Sequence, residues 1–435
     1  MAQDIEGPGA LTMRYRPIGE LTPDPRNART HPKRQIEQLQ ASIREFGFTN
    51  PVLADPEGNL IAGHGRLIAA RTIGMTEVPV IELPGLTEVQ KRALRIADNK
   101  IALNAGWDLE ILQSELSELS AIDVDIEPTL TGFTTGEIDV ILDGPDDPDD
   151  EVIPAVPVTP RTRPGDVWVL GDHRIGCGDS RDLAFLERVI GAGAKIDAAF
   201  LDPPYNVRID GNVNAKGRHR EFAMASGEMT ETEFRAFLAA TLGAAARVSR
   251  DGAVHFVCMD WRHMKEIEAA GRDVYSDLKN LIIWVKDNGG MGTFYRSRHE
   301  LIFAFKQGMA DHINSFELGQ HGRYRTNVWE YKGVNTRKAG RLDELELHPT
   351  VKPVQMIADA IKDVSGRNDI VLDLFGGSGS TLIAAHKTGR QARLCELDPL
   401  YCSRIIKRYE QYAKDEAIKI ACGISSSPYF SQAAE

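Results

Sequence analysis

Asp202–Asn206, DPPYN, closes an apolar run, KIDAAFL, that has strand character. A plain turn needs one proline or glycine; this one carries an acid, two prolines and an aromatic. Consecutive prolines fix two φ angles and withdraw two N–H donors, so the backbone carbonyls there face something other than a sheet. The Asp202 carboxylate and the carbonyls about Pro203 and Pro204 form a rigid cluster of acceptors, flanked by the Tyr205 ring. That set suits a flat ligand carrying an amino group. A second motif, DIVLDLFGGSGSTLIAAHKTG, reads as strand, glycine turn and helix. Gly376, Gly377 and Gly379 let the backbone approach a ligand at a helix N-terminus. Asp373, before the turn, can receive a cationic amine, and Glu396, ending the next strand, can bond a ribose diol. The turn departs from the dinucleotide fingerprint, because Leu382 stands where a count from Gly377 requires the third glycine.

Both motifs need strands to present them. From Gly165 onward, KIDAAFL, GAVHFVCM, LKNLIIWVK, LIFAFK, DIVLDLF and QARLCEL are strand-length apolar runs, interleaved with the helical TEFRAFLAATLGAAARV, VQMIADAIKDVS and STLIAAHKTG. That alternation predicts an α/β, mostly parallel, doubly wound sheet. Gly144–Gly165 carries six prolines and an acidic first half, and predicts an extended linker. Ahead of it, RYRPIGEL, the amphipathic IEQLQASIREFG ended by Gly47, a hairpin around Glu57-Gly58, GRLIAARTIG and VPVIEL predict a small α/β unit, with helices over TEVQKRALRIADNKIA and DLEILQSELSELSAI. The expected division is 1–143, a linker over 144–164, a second domain over 165–416, and a tail over 417–435 without fixed order.

At 435 residues two domains are the default, and 42% apolar with 26% charged residues is a globular balance. No apolar run reaches membrane-span length and no signal-peptide core opens the chain, so a cytoplasmic protein is expected. The five cysteines lack zinc-site spacing and read as free thiols. The net charge of −12 is unevenly placed: residues 111–155 hold thirteen acids and no base, and without them the chain stands at +1. Lys286 to Arg341 carries ten bases against five acids, enough to touch phosphate. His255, Trp284 and Phe303 read as core residues.

DPPY combined with Phe375, Gly377 and Gly379 resembles the amino-group DNA methyltransferases, which use S-adenosylmethionine. HPTVKP at His348–Pro353, Gly178-Asp179-Ser180 and WVKDNGGMGTFYRSRHELIFAFK are similar to further segments of that family. DPPY precedes the glycine turn, the order of its circularly permuted β class. The resemblance covers about Gly165 to Tyr412. It implies a Rossmann-like sheet and, with no metal, transfer of a methyl group to the exocyclic amine of a flipped base in double-stranded DNA. Asp202 and the Pro203 carbonyl would accept from that amine, and Tyr205 would stack on the base. Asp179, Lys352, Asp373, Phe375, Gly377, Gly379 and Glu396 would hold the cofactor. DNA contacts are expected from Lys216, Arg218 and Arg220 after DPPY, and from a recognition region, Gln307 to Leu347, containing Arg323, Arg325, Arg337, Lys338 and Arg341 with Tyr324 and Trp329.

Asp at the first motif position leans to adenine N6; cytosine N4 is the alternative, and a restriction–modification setting is implied. LTPDPRNAR, IEQLQASIREFGFTNPVL and GHGRLIAA resemble the ParB/sulfiredoxin-like fold. That family's nucleotide pocket has G-E-R-R, whereas here His64 and Gly65 replace the first two of E-R-R and Arg66 is retained. The missing acid sets nucleotide hydrolysis aside and leaves nucleotide binding open, as is a homodimer. A rival reading is a ParB-like DNA-binding protein with an inactive cofactor domain; the intact motifs favour the enzyme.

Overall fold

The computed structural model describes residues 11–121, 128–142, 148–207, 227–287, 289, 294–315, 325–333 and 351–413. The chain forms two compact units, Met1–Leu142 and Asp143–Glu435.

In the first unit, β1 (Met13–Pro17), α1 (Lys33–Phe46), β2 (Val52–Ala54), β3 (Leu60–Ala62), α2 (His64–Thr72), β4 (Glu77–Glu82), α3 (Glu88–Ala102), α4 (Leu109–Ala121) and α5 (Thr135–Leu142) follow in order. The sheet runs β1-β4-β2-β3, with β2 parallel to β4 and the outer pairs antiparallel. The predicted hairpin forms around Gly58, at φ 89°, where a side chain would meet the Glu20 carbonyl. Leu21, Val52, Leu60, Leu67, Val78 and Val80 are its core. Thr87 and Gln90 close a capping box at the start of α3. Leu112, Leu116 and Ile138 pack the predicted α4 against α5, a helix the sequence reading did not predict.

The second unit contains β5 (Val167–Leu170), β6 (His173–Cys177), α6 (Leu183–Ile190), β7 (Ile196–Leu201), α7 (Glu231–Val248), β8 (Ser249–Met259), α8 (Met264–Val274), β9 (Asp277–Val285), β10 (His299–Lys306), β11 (Val328–Glu330), α9 (Val354–Val364), β12 (Ile370–Asp373), α10 (Ser380–Lys387), β13 (Gln391–Glu396) and α11 (Pro399–Ala413). Nine strands form one sheet in the order β11-β9-β10-β8-β7-β12-β13-β6-β5. The run from β8 through β7, β12 and β13 to β6 is parallel, and β10 enters antiparallel beside β8. The strands are apolar on both faces because both are covered: α9, α10 and α11 bury one side, and α6, α7 and α8 the other. This is a Rossmann-like doubly wound sheet. From β7 the chain steps outward to β8, and from β12 outward in the opposite sense to β13. The neighbours β7 and β12 are therefore the topological switch point, where a crevice opens beyond the carboxyl ends of the strands. DPPY leaves one of those ends and the glycine turn leaves the other.

The expectation of an extended linker over Gly144–Gly165 fails from Asp150 onward, where the segment packs on the second unit. Asp150 is 4% exposed; its carboxylate accepts from Lys387 Nζ at 2.6 Å and the Tyr412 hydroxyl at 2.8 Å. Glu151 accepts from the first amide of α9, Val354 N, at 2.8 Å. Arg161 N donates to Ser403 Oγ at 2.8 Å, and the Thr162 hydroxyl to the Pro399 carbonyl at 2.9 Å. Asp150 and Glu151, which the acidic linker reading left in solvent, instead meet a cation, a hydroxyl and a helix-end donor of the second unit. The expected tail, 417–435, lies outside the described residues, and so does Cys422; the other four cysteines are buried thiols.

Candidate active site

β7 is buried and delivers Asp202 at its carboxyl end, followed by Pro203, Pro204 and Tyr205. The bend is pinned by Asn206, which adopts a left-handed φ of 52°. Its side-chain oxygen accepts from Gly227 N at 3.0 Å and Met229 N at 3.2 Å, and its amide donates to the Met229 carbonyl at 2.8 Å. Asn206 thus ties the return of the loop that follows DPPY to the motif itself, and an Asn directly after a rigid turn was the available signal for it.

Asp202 does not stand alone. The Tyr205 hydroxyl lies 2.8 Å from Asp202 Oδ1 and 2.9 Å from Glu300 Oε2. Lys352 Nζ lies 2.7 Å from Asp202 Oδ2 and 3.1 Å from Glu300 Oε2, and Lys286 pairs with Glu300 Oε1. Lys286 and Lys352 both face the ring of Trp284, at 4.5 and 5.8 Å from its centre. Burial raises the Asp202 carboxyl above the ordinary carboxylate range; Lys352 opposes that and Glu300 adds to it. Burial would raise Glu300 as well, but Lys352 and Lys286 outweigh it and hold Glu300 at about 2. Burial also works against charge on Lys352, yet the two carboxylates keep the ammonium above its usual range. Lys352 was expected on the cofactor. It is buried and its ammonium sits instead between Asp202 and Glu300, because the segment entering α9 passes the end of β7. Glu300 and Lys286 were missed by the sequence reading, although the acid inside the apolar run HELIFAFK was visible.

Across the switch point, β12 ends in Asp373, buried, with the Phe375 amide at 2.9 Å and the Thr381 hydroxyl at 2.6 Å. No cationic side chain among the described residues pairs with it, and burial raises it to about 7. In the turn, Gly377 and Gly379 have φ of 52° and 84°. A Cβ on Gly379 would sit 3.0 Å from Ile405, so the turn can lie tight on α11 only as glycine. Glu396, at the end of β13, accepts from Gly377 N at 2.8 Å and Asp398 N at 2.9 Å. Each oxygen keeps a lone pair for a further donor. Two arginines of α11 hold the turn from behind: Arg404 donates to the Gly377 carbonyl at 2.7 Å and Arg408 to the Ser378 carbonyl at 2.9 Å. Arg408 also donates to the Asp150 carbonyl at 2.6 Å. Gly178 N bonds the Glu396 carbonyl at 2.9 Å, which brings Asp179 beside the turn. Asp179 is half-exposed and held below its usual range by Arg181, which lies 5.6 Å above Phe237; Phe237 in turn touches Phe375. The structure therefore gathers Asp179, Asp373, Phe375, Gly377, Gly379 and Glu396 on one side and Asp202, Tyr205 and Lys352 on the other.

Of the expected DNA contacts, Lys216, Arg218, Arg220, Arg323, Arg337 and Lys338 lie outside the described residues. Arg325 does not point to solvent: it is 3.0 Å from Asp363, 2.8 Å from the Tyr331 hydroxyl and stacked 4.6 Å over Trp329. Its charge balances carboxylates of α9, which withdraws it from a phosphate-contact role. His255 bonds Ser249 and Tyr275 inside the core, as expected. His64 is buried behind Gly63, and burial lowers it to about 4, so the ring is neutral.

Three family models match successive parts of the chain: the ParB N-terminal domain over 9–99, the ParB-methyltransferase HTH domain over 110–164, and DNA methylase over 196–408. A ParB-like nuclease domain-containing protein of Escherichia coli (strain K12), YnaK, is 55% identical over 82 residues, 19% of this chain and 94% of that protein. The DNA adenine methyltransferase YhdJ of the same organism is 24% identical over 268 residues, 55% of this chain and 84% of that protein. Among solved structures, the M1.HpyAVI–SAM complex aligns with 54% of this chain and 97% of that one, at 19% identity and a TM-score of 0.39. DPPY stands ahead of the glycine turn and both lie at the switch point of one sheet; the chain carries an N6/N4-type DNA methylase domain over 196–408 behind an N-terminal ParB-like domain.

Proposed function

We propose that the protein transfers a methyl group from S-adenosylmethionine to the N6 amine of an adenine flipped out of double-stranded DNA, at a specific sequence, in the cytoplasm. The observation that carries this reading is the meeting of two unlike half-sites at one switch point. One is a carboxylate-and-proline cluster built to accept from an amine. The other is a glycine turn beside Asp373, an acid that no cationic side chain among the described residues pairs with. Asp373 fits a ligand ammonium, Glu396 a ribose diol, Asp179 an adenine amine, and Phe375 with Gly377 and Gly379 the cradle between them. When bound there, S-adenosylmethionine supplies an electrophilic methyl group.

The chain's own part is to bind and aim the amine. The Asp202 carboxylate and the Pro203 carbonyl accept its two N–H bonds, which draws the nitrogen toward sp³ and frees its lone pair. The Tyr205 ring, fixed by its hydroxyl contacts, offers a face for the base, worth about 1–3 kcal/mol. Burial strengthens each of these contacts, and fixed positioning does the rest. Adenine is favoured over cytosine by Asp rather than Ser at the first motif position and by the likeness to YhdJ. We assign the ParB-like domain, 1–143, to added DNA affinity or a partner, and the transfer to 165–416.

The direct test is Asp202→Ala in the full chain. Methyl transfer should fall by at least about a thousandfold, while cofactor affinity stays near wild type, because Asp202 faces the amine and not the cofactor. Activity within tenfold of wild type would refute the assignment.

A further inference from the structure

The contacts around Asp202 form a chain of alternating charge: Lys286, Glu300, Lys352, Asp202. The Tyr205 hydroxyl bridges the two carboxylates. Glu300 lies in β10 directly across the ladder from Trp284 of β9, and Lys286 follows two residues later on the same edge. Lys286 N still pairs with the Arg298 carbonyl at 2.7 Å, so this part of the site stands on paired strands and not on a loop. Glu300 touches neither half-site's expected ligand. It does touch both side chains that hydrogen-bond Asp202 among the described residues, Tyr205 and Lys352.

A buried carboxylate facing a single buried ammonium tends to close into a private pair. Asp202 would then hold Lys352 and have little acceptor strength left for an amine. An ionised carboxylate offers about four lone-pair positions; Tyr205 and Lys352 take one on each oxygen of Asp202, leaving one on each. That count holds only while Lys352 and the tyrosine proton are shared with a second acid, which Glu300 provides, with Lys286 neutralising it from outside. The two acids and two ammoniums sum to zero, so the cluster tolerates burial.

We propose that Glu300, with Lys286, is a positioning residue for methyl transfer: it shares Lys352 and the Tyr205 hydroxyl with Asp202 and so leaves the Asp202 carboxylate room to accept from the target amine. The proposal rests on the amine-methylation reading above. The other titratable groups facing Asp202 are Cys258 of β8 and Asp373 of β12; burial raises both, which leaves them neutral or half-ionised near neutral pH.

The experiment compares full-length Glu300→Gln and Lys286→Gln with wild type in four measurements: single-turnover transfer to DNA across pH, infrared difference titration of the cofactor-free carboxylates (assigned with Asp202→Asn), cofactor affinity, and thermal unfolding. Glu300→Gln removes a negative neighbour, so the Asp202 titration and the acid limb of the rate profile should move to lower pH. The plateau rate should fall by at least about a hundredfold, with cofactor affinity within about threefold. Lys286→Gln removes a positive neighbour and should move both to higher pH. Opposite movements are what a merely structural role does not produce. A folded Glu300→Gln protein with near wild-type rate and an unmoved titration overturns the proposal. If Glu300→Gln does not fold, the partly exposed Lys286 decides: an unmoved titration in Lys286→Gln overturns it equally. Failure of the underlying reading shows separately, as a wild-type protein that labels no DNA, and takes the proposal with it.

Discussion

On the proposed reading, Asp373 is the residue whose ionisation bears most directly on cofactor affinity. Its folded value, about 7, stands above the ordinary 3.8 because burial penalises the charge. A raised carboxyl stabilises the free protein fully below the ordinary value, and that contribution is lost as pH rises through about 7. Ligand binding runs the other way, since an ammonium needs the ionised form. Cofactor affinity should therefore climb about tenfold per pH unit below that point and level off above it. Calorimetry across that range checks this, with Asp373→Asn expected to bind weakly and without the slope; a slope that survives the substitution would show that another group titrates. Both ends of the site were legible at this scale, because Asp202, Asp373 and the glycines carry unusual residue types at fixed spacing. Glu300 was not, since one acid in an apolar strand becomes meaningful only when three segments converge on it. Nor was the true place of Lys352, which depends on how the entry to α9 crosses β7.

Among elements, α11 and the strap from Asp150 to Thr162 decide how firmly the glycine turn is held. Arg408 donates to the turn with one nitrogen and to the Asp150 carbonyl with the other, and the Asp150 carboxylate is anchored by Lys387 and Tyr412. Asp150→Ala removes the carboxylate that accepts from Lys387 and the Tyr412 hydroxyl and should cost about 1–3 kcal/mol of stability. A fragment beginning at Pro148 should accordingly melt higher and bind cofactor more tightly than one beginning at Arg163. Equal melting temperatures would mean the strap contributes nothing. The strands and helices around the site could be read from their patterning, since β7, β8, β12 and β13 are covered on both faces and show as strand-length segments rich in apolar residues. The strap could not: proline and acid content signals an extended chain, and only the tertiary partners Arg408 and Lys387 say what an extended chain lies against. Likewise α5 and the short β11 are too brief for a period to emerge.

For the whole molecule, charge is divided in a way that assigns DNA contact. The segment matching the ParB-methyltransferase HTH domain has no Lys or Arg from Glu110 to Pro160, and α4 and α5 carry acids instead. Phosphate binding needs cations, so this helical pair should contribute little to DNA affinity, whereas the bases between Lys286 and Arg341, apart from Lys286 and Arg325 that carboxylates already hold, should carry it. Reversing Glu115 and Glu118 to Lys should leave or raise affinity for DNA; a loss would place the contact on α4. Binding by the full chain should weaken steeply as salt rises. The central claim is amine methylation. Its most direct measurement is mass analysis of nucleosides from double-stranded DNA incubated with the full chain and methyl-labelled S-adenosylmethionine. The expected product is labelled N6-methyldeoxyadenosine, absent with Asp202→Ala. Label on N4 of deoxycytidine would keep the chemistry and change the base. Label on a ring carbon, or none on any nucleoside, would contradict the account.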